Sequence, residues 1–273
     1  MTFLSIVWDP NDTLFEIGNF PIKYYGLMWM LAFVLGFLII KNIFKKEGQP
    51  LERLDPLFMY TVLSIMIGAR LGHVLFYQTE LIWQSPLEVF LPIKLNPFRF
   101  TGFRGLASHG AAIGAVIGMY LYKRKYPDLK LSWILDRLVI PSALGAVFVR
   151  FGNFMNSEIV GEPTNSDYGV IFKQLGENFP RHPAQLYEAI GYVFVFLILY
   201  FIYYKTDKGQ KPWYLFGLFF VLLMTVRFFA EFFKRSQGGF ESALGVFTTG
   251  QWLSIPFIII GLYLMFRKQP ATA

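Results

Sequence analysis

Two stretches of this 273-residue chain carry the residue types that could do chemistry. One is Arg150-Phe-Gly-Asn153-Phe-Met-Asn-Ser-Glu158, and the other is Arg227-Phe-Phe-Ala-Glu231-Phe-Phe-Lys234-Arg235. Arg227 and Glu231 are four residues apart, and Arg150 and Asn153 three, so on helices each pair shares a face. The planar fork of arginine matches two phosphate oxygens, so two guanidiniums with polar neighbours could hold a phosphate by paired hydrogen bonds. Interhelical salt bridges that only fix packing need the same spacing, and spacing alone leaves the two readings level. His109 offers proton acceptance near neutral pH, or a hydrogen bond that joins helices. The three histidines are scattered with no two four apart, and there is no cysteine, Gly-x-Ser-x-Gly elbow or P-loop. That pattern predicts no metal centre and no cofactor, and it favours direct displacement over a covalent enzyme intermediate.

The elements that must position these residues are apolar. The chain is 55% hydrophobic, 19% aromatic and only 16% charged, with a mean hydropathy of +0.45. Such a balance excludes an ordinary soluble domain, a disordered chain, a coiled coil and a nucleic-acid-binding arm. A ruler of roughly 20 apolar residues per crossing predicts an all-α, polytopic helical membrane bundle. Its seven spans are Tyr24–Ile43, Leu57–Tyr77, Gly105–Tyr122, Leu131–Met155, Pro183–Tyr204, Pro212–Phe233 and Gly250–Phe266. Gly110, Gly114 and Gly118 fall on one face of the third and would let a neighbour approach closely. The first 23 residues lack a basic start and a small-residue cleavage site, so no signal peptide is expected.

Loop charge gives an orientation. Lys41–Asp55, Lys123–Lys130, Lys205–Lys211 and the tail from Arg267 carry 13 Lys/Arg in 37 residues. The first 23 residues, Gln78–Arg104, Asn156–His182 and Lys234–Thr249 carry 8 in 93 residues. The positive-inside rule puts the first set and the C-terminus in the cytoplasm and the N-terminus outside. The chain reads as one membrane domain, 1–273, with its main extracytoplasmic segments at 78–104 and 156–182. The net charge of +7 fits loop charges and affinity for anionic lipid. Arg70, Arg137, Arg150 and Arg227 lie inside spans, where charge marks either function or a side chain snorkelling to the interface. His73 reads as structural. Pro183 suits a first helical turn, and Glu188 reads as a partner of the early helix dipole. An anion transporter and a lipid-modifying enzyme both remain compatible with these residues taken alone.

Arg150-Phe-Gly-Asn-Phe-Met-Asn-Ser-Glu-Ile-Val-Gly161 resembles the signature of the prolipoprotein diacylglyceryl transferase family. Further pieces stand in that family's order: Tyr25-Gly-Leu-Met28, His109-Gly110, Arg181-His-Pro-Ala-Gln-Leu-Tyr-Glu188, Arg227-x-x-x-Glu231 and Gly250-Gln-Trp-Leu-Ser-Ile-Pro256. The resemblance spans about Tyr24 to Pro256. It implies transfer of the diacylglyceryl group of phosphatidylglycerol to the lipobox cysteine of a prolipoprotein signal peptide. A thioether forms and glycerol phosphate leaves, at the outer leaflet of the bacterial cytoplasmic membrane. The implied partners are phosphatidylglycerol, the signal peptide and membrane lipids, with no nucleic acid. Arg150, Asn153, Glu158 and Gly161 match the signature, and Tyr25, His109, Arg227 and Glu231 match other functional positions. The expected roles are His109 as thiol-proton acceptor, Arg150 and Arg227 on the phosphate, and Glu158 and Glu231 orienting the arginines. Asn153 and Tyr25 would contact phosphate or headgroup, and Gly161 is a backbone requirement. Alanine follows His109-Gly110 where a second glycine is usual, and His73 stands where tyrosine is expected. Lys234, a substrate-binding candidate, stands where arginine is expected and keeps the charge without the fork.

Overall fold

The computed structural model describes residues 4–11, 13–18, 20–90, 93–94, 99–100, 105, 107–235 and 247–268. Parts of the expected segments 78–104 and 234–249, Leu106 and the end of the tail therefore lie outside the described residues. The long helices are α1 (Tyr24–Lys46), α2 (Leu54–Tyr77), α5 (Ser108–Lys125), α6 (Leu131–Met155), α7 (Ala184–Lys205), α8 (Tyr214–Ala230) and α9 (Thr249–Phe266). Two short helices, α3 (Leu81–Gln84) and α4 (Pro86–Phe90), follow α2. The chain is thus a helical membrane bundle, and the expected spans recur as helices with ends moved by a few residues. Among the described residues, six helices are long and apolar enough to cross a membrane; α5 is not among them. Its 18 residues include Lys123, Arg124 and Lys125 in the last turn, and its glycines add little apolar surface.

The strands lie outside the long helices. They form three two-stranded ribbons: β1 (Ser5–Trp8) parallel to β6 (Gly169–Phe172), β2 (Thr13–Ile17) antiparallel to β3 (Phe20–Lys23), and β4 (Ile93–Lys94) antiparallel to β5 (Arg99–Phe100). Contacts divide the chain into two compact units, Met1–Ile40 with Leu135–Ala273, and Lys41–Ile134.

In the second unit, α2 and α5 meet backbone to backbone. A Cβ on Gly68 would lie 2.7 Å from Gly114 Cα, and one on Gly72 2.6 Å from Gly110 Cα, while Gly118 faces Ser64. The glycine stripe does what its spacing predicted: with no side chain between them, the helices gain dispersion contact along their whole length. Arg70 of α2 donates to the carbonyls of Glu88 (2.8 Å), Val89 (3.0 Å) and Gly105 (3.4 Å). It thereby ties the end of α4 and the segment before α5 to α2. α1 ends in a Schellman turn. Gly48, at φ 67°, sits beyond its last basic residues, with Gln49 N donating to Phe44 O and Gly48 N to Lys45 O.

The first unit carries α6 to α9. No side chain of α8's own N-cap residue bonds its free amides. The buried Asp136 of α6 does so instead, accepting from Trp213 N at 2.6 Å and Phe216 N at 2.8 Å. α9 opens with a capping box between Thr248 and Gln251. α8 and α9 cross at reciprocal glycines, where a Cβ on Gly217 or Gly261 would lie 2.6 Å from the other's carbonyl oxygen. Where α6 ends and α7 begins, a small core of Phe154, Val160, Val170 and Phe172, with Trp8 and Leu186 against it, supports the chain that leaves α6. Trp8 packs on Phe154 at 4.3 Å and donates its indole N–H to Phe154 O at 3.1 Å.

Candidate functional site

α6 supplies the first part of the site. Arg150 Nη1 donates to Asn153 Oδ1 at 3.3 Å, one turn on. Asn153 Nδ2 donates to Glu158 Oε2 and Asn156 Nδ2 to Glu158 Oε1, each at 3.1 Å. The chain reverses here through Ser157 and Ile159 at φ 54° and 56°. Left-handed backbone costs roughly 1–2 kcal/mol for a residue with a Cβ, so this turn is over-determined by its contacts. Glu158 N bonds Asn153 O at 2.9 Å, and the buried Gln185 donates its side-chain amide to Glu158 O.

The segment after the turn is laced between two others. Gly161 N donates to His182 O (2.9 Å), His182 N to Glu162 O (3.0 Å), Glu162 N to Phe233 O (2.9 Å) and Arg235 N to Val160 O (3.4 Å). A Cβ on Gly161 would lie 2.5 Å from Phe233 O and 2.6 Å from His182 Cβ, and it would press on His182 O as well. Only glycine lets the three backbones lie together, and this lacing sets Lys234 beside Gly161 as an antiparallel bridge. The buried Arg181 locks the arrangement, bonding both Glu177 oxygens and Gly161 O at 3.0 Å. The Arg181 guanidinium holds the Glu177 carboxyl below the usual carboxylate range. His182 Nδ1 lies 2.8 Å from Tyr168 Oη and 3.1 Å from Tyr187 Oη, and burial pushes this imidazole below its ordinary value.

The hub is a residue that the sequence assigned to a helix dipole. Glu188 stands beyond the first turn of α7, which holds no acidic residue, and is fully buried. Its Oε2 lies 2.9 Å from Arg150 Nε and 3.1 Å from Lys234 Nζ, and its Oε1 accepts from Tyr192 Oη at 3.1 Å. Lys234 Nζ also pairs with Glu231 Oε1 at 2.9 Å, and Arg227 Nη2 reaches that oxygen at 4.0 Å. Thr248 Oγ1 donates to the other Glu231 oxygen at 3.4 Å. At Gly250 a Cβ would lie 2.8 Å from Glu231 Cγ, so the start of α9 closes on Glu231 because no side chain intervenes.

Arg150, Glu188, Lys234, Glu231 and Arg227 thus form one chain of ion pairs drawn from α6, α7, the end of α8 and the turn that follows it. Its two ends differ. The Arg150 side chain is 13% exposed and firmly paired, whereas Arg227 is 35% exposed and holds Glu231 only at the limit of a salt bridge. Such an arrangement can receive an anion at Arg227 without first breaking a strong pair.

Of the candidate residues, Arg150, Asn153 and Glu158 contact one another in series, as do Lys234, Glu231 and Arg227; Glu188 joins the two sets, and Gly161 joins them through its bridge to Lys234. Tyr25 lies against the same part of α6, for a Cβ on Gly152 would sit 2.7 Å from its Cδ2. Glu158 reaches Arg150 only through Asn153, and Glu231 pairs more closely with Lys234 than with Arg227. Lys234 is buried between two carboxylates, where an ammonium suffices and no fork is needed. His109 belongs to the other unit, where its exposed ring lies 4.8 Å from Phe76 and 6.2 Å from Tyr77. His73 of that unit packs on Tyr77 at 5.3 Å. Glu188 and Tyr192 were missed as site residues. The available signal was a carboxylate inside an otherwise apolar span, which lipid would not tolerate unpaired. A surface hollow on the 156–182 segment is lined by Pro163, Asn165, Ser166, Asp167, Phe179 and Pro180, none of them in the ion-paired chain.

Comparison with known proteins places the chain in a family. The family model described as prolipoprotein diacylglyceryl transferase matches residues 12–267. A phosphatidylglycerol–prolipoprotein diacylglyceryl transferase of Bacteroides fragilis is 40% identical over 266 residues, covering 96% of this chain and 95% of the relative. Proteins of the same name from Tolumonas auensis and Chloroherpeton thalassium are each 38% identical. They cover 95% and 96% of this chain, and 96% and 94% of their own lengths.

Proposed function

We infer that this chain, which belongs to the prolipoprotein diacylglyceryl transferase family, transfers the diacylglyceryl group of phosphatidylglycerol to the lipobox cysteine of a prolipoprotein. The transfer is the first step of lipoprotein maturation, and the enzyme is a membrane-embedded transferase. The observation that supports the mechanism best is the ion-paired chain that ends at the half-exposed, loosely held Arg227.

In the proposed reaction the thiol gives its proton to His109, and the thiolate attacks the diacylglyceryl carbon that bears the phosphate. The carbon–oxygen bond breaks, its electron pair stays on the departing phosphate oxygen, and glycerol phosphate leaves with a thioether left behind. A free thiol titrates near about 8.5, so a base or a nearby cation raises the reactive fraction at neutral pH. Arg227 and Arg150 hold the phosphate, where preorganised donors away from water contribute roughly 3–4 kcal/mol each to the transition state. Asn153 and Tyr25 contact the phosphate or headgroup. Glu158 fixes Asn153, Glu231 fixes Lys234 and Arg227, and Gly161 permits the lacing that seats Lys234.

Topologically we assign α5 as a seventh span, because its glycine face is committed to α2 along its length. The N-terminus is then outside and the C-terminus cytoplasmic, with the basic connections 41–55, 123–130 and 205–211 inside. The chain acts as one domain in the bacterial inner membrane, with its site toward the periplasmic leaflet. Purified protein given labelled phosphatidylglycerol and a lipobox peptide tests the reading. Label transferred to the peptide cysteine is expected, whereas release of label without peptide, or no reaction at all, would overturn it.

A further inference from the structure

We propose that Glu188 is a positioning residue: acting through Arg150 and Lys234, it fixes both the geometry and the net charge that the site presents to a phosphate. The proposal rests on the phosphate-binding reading of Arg150 and Arg227 given above.

Three observations carry it. Glu188 is fully buried in α7, so its charge is committed to protein partners. One of its oxygens touches both Arg150 Nε and Lys234 Nζ, at 2.9 and 3.1 Å. The two positive nitrogens are therefore within about 6 Å of each other, where like charges repel strongly away from water. The other oxygen takes the Tyr192 hydroxyl at 3.1 Å, which stops the carboxylate turning. While its Nε is ion-paired with Glu188, the Arg150 guanidinium donates from Nη1 to Asn153.

Charge counting gives the second half. The directly ion-paired set holds three cations, Arg150, Lys234 and Arg227, against the two carboxylates Glu188 and Glu231; the exposed Glu158, bonded to Asn153 and Asn156, pairs with none of the three among the described residues and lies outside this count. One positive charge is in surplus, and it resides at Arg227, the most exposed and least tightly paired of the three. A phosphodiester carries one negative charge and matches that surplus. The phosphomonoester that leaves carries roughly −1.5 to −2 at neutral pH, so a site with one surplus charge binds substrate without trapping product. Without Glu188 the surplus doubles and the two inner cations push apart.

Glu188→Gln keeps the volume and removes the charge. Purified variants are assayed with phosphatidylglycerol and a lipobox peptide, with inorganic phosphate and glycerol phosphate as inhibitors. For Glu188→Gln, kcat should fall roughly tenfold or more, as expected when a charged donor is misplaced. KM for phosphatidylglycerol should stay level or fall, and inhibition by inorganic phosphate should strengthen several-fold. Glu188→Asp restores the charge and should return phosphate inhibition toward that of the parent. Glu188→Gln with Lys234→Met restores the single surplus and should do the same, a readout that survives if the single variant fails to fold. Unchanged or weakened phosphate inhibition in Glu188→Gln, or strengthened inhibition in the double variant, would overturn the proposal. If Arg227→Ala retains full turnover, the phosphate-binding reading itself fails. If Arg227→Ala is inactive while Glu188→Gln inhibits like the parent, only the role of Glu188 fails.

Discussion

Removing each arginine in turn separates function from folding, because the two are embedded so differently. Arg227 is 35% exposed and its ion pair with Glu231 is 4.0 Å long. Pairs of that kind contribute about 0–1 kcal/mol, and Glu231 keeps Lys234 at 2.9 Å when Arg227 is gone. Arg227→Ala should therefore unfold within a few degrees of the parent. Its transition-state contribution as a phosphate donor is about 3–4 kcal/mol, a loss of roughly 10²–10³-fold in kcat. Arg150 is the reverse case. It pairs with a carboxylate that has no solvent access, and breaking a buried pair costs about 3–5 kcal/mol. Arg150→Ala should lose activity and stability together, with Lys234 left as the one ion-pair partner of Glu188 among the described residues. The assay is transfer of label from phosphatidylglycerol to a lipobox peptide, run beside thermal unfolding of each purified variant in detergent. If folded Arg227→Ala turns over within a few-fold of the parent, the phosphate role is refuted. If it unfolds as early as Arg150→Ala, the reading of its burial and pairing is wrong.

Four further outcomes are expected. Gly161→Ala places a methyl 2.5 Å from Phe233 O and against His182 O, both backbone; one strand must retreat by about 1 Å, costing roughly 1–3 kcal/mol and about 10²-fold in kcat. Transfer kinetics and unfolding midpoint check both losses, and a near-parental enzyme would contradict the lacing. Replacing Gly114 by Leu should separate α2 from α5 and lower the unfolding midpoint strongly, while Gly176→Ala, which meets no atom within 4 Å but has φ 71°, should cost far less. His109→Asn should lose most kcat at neutral pH and regain part of it as pH rises toward the thiol's own value; retention of most activity at pH 7 would remove His109 from the proton step. Glu177 titrates below its unfolded value because of Arg181, so its stabilisation is present above about pH 4.3 and is lost as pH falls through the lower folded value. The difference in unfolding midpoint between parent and Glu177→Gln should accordingly be largest near neutral pH and vanish in acid.

The helices were legible because a bilayer imposes one local rule: a crossing segment must be apolar and satisfy its own backbone. Tyr24, Tyr77, Leu131 and Met155 mark helix ends both in the sequence reading and in the structure. The rule weakens for α5, whose Gly110, Gly114 and Gly118 lower its apolar content while improving its fit to α2. The ribbons were not legible. Ser5–Trp8 pairs with Gly169–Phe172 across most of the chain, and no local period records such a partner.

The same division holds within the site. Sequence by itself determined which residues could meet a phosphate, since Arg150 with Asn153, and Arg227 with Glu231, need only helical spacing to share a face. It determined Gly161 as a backbone position, but not that Phe233 and His182 are the backbones it admits. Tertiary structure alone decided that Glu188 is the hub, that Lys234 is buried between two carboxylates, and that Arg227 is the most exposed and most loosely paired of the three cations. The reason is physical: charge compensation in a low-dielectric interior depends on distances between different helices, and these are set by packing rather than by position along the chain.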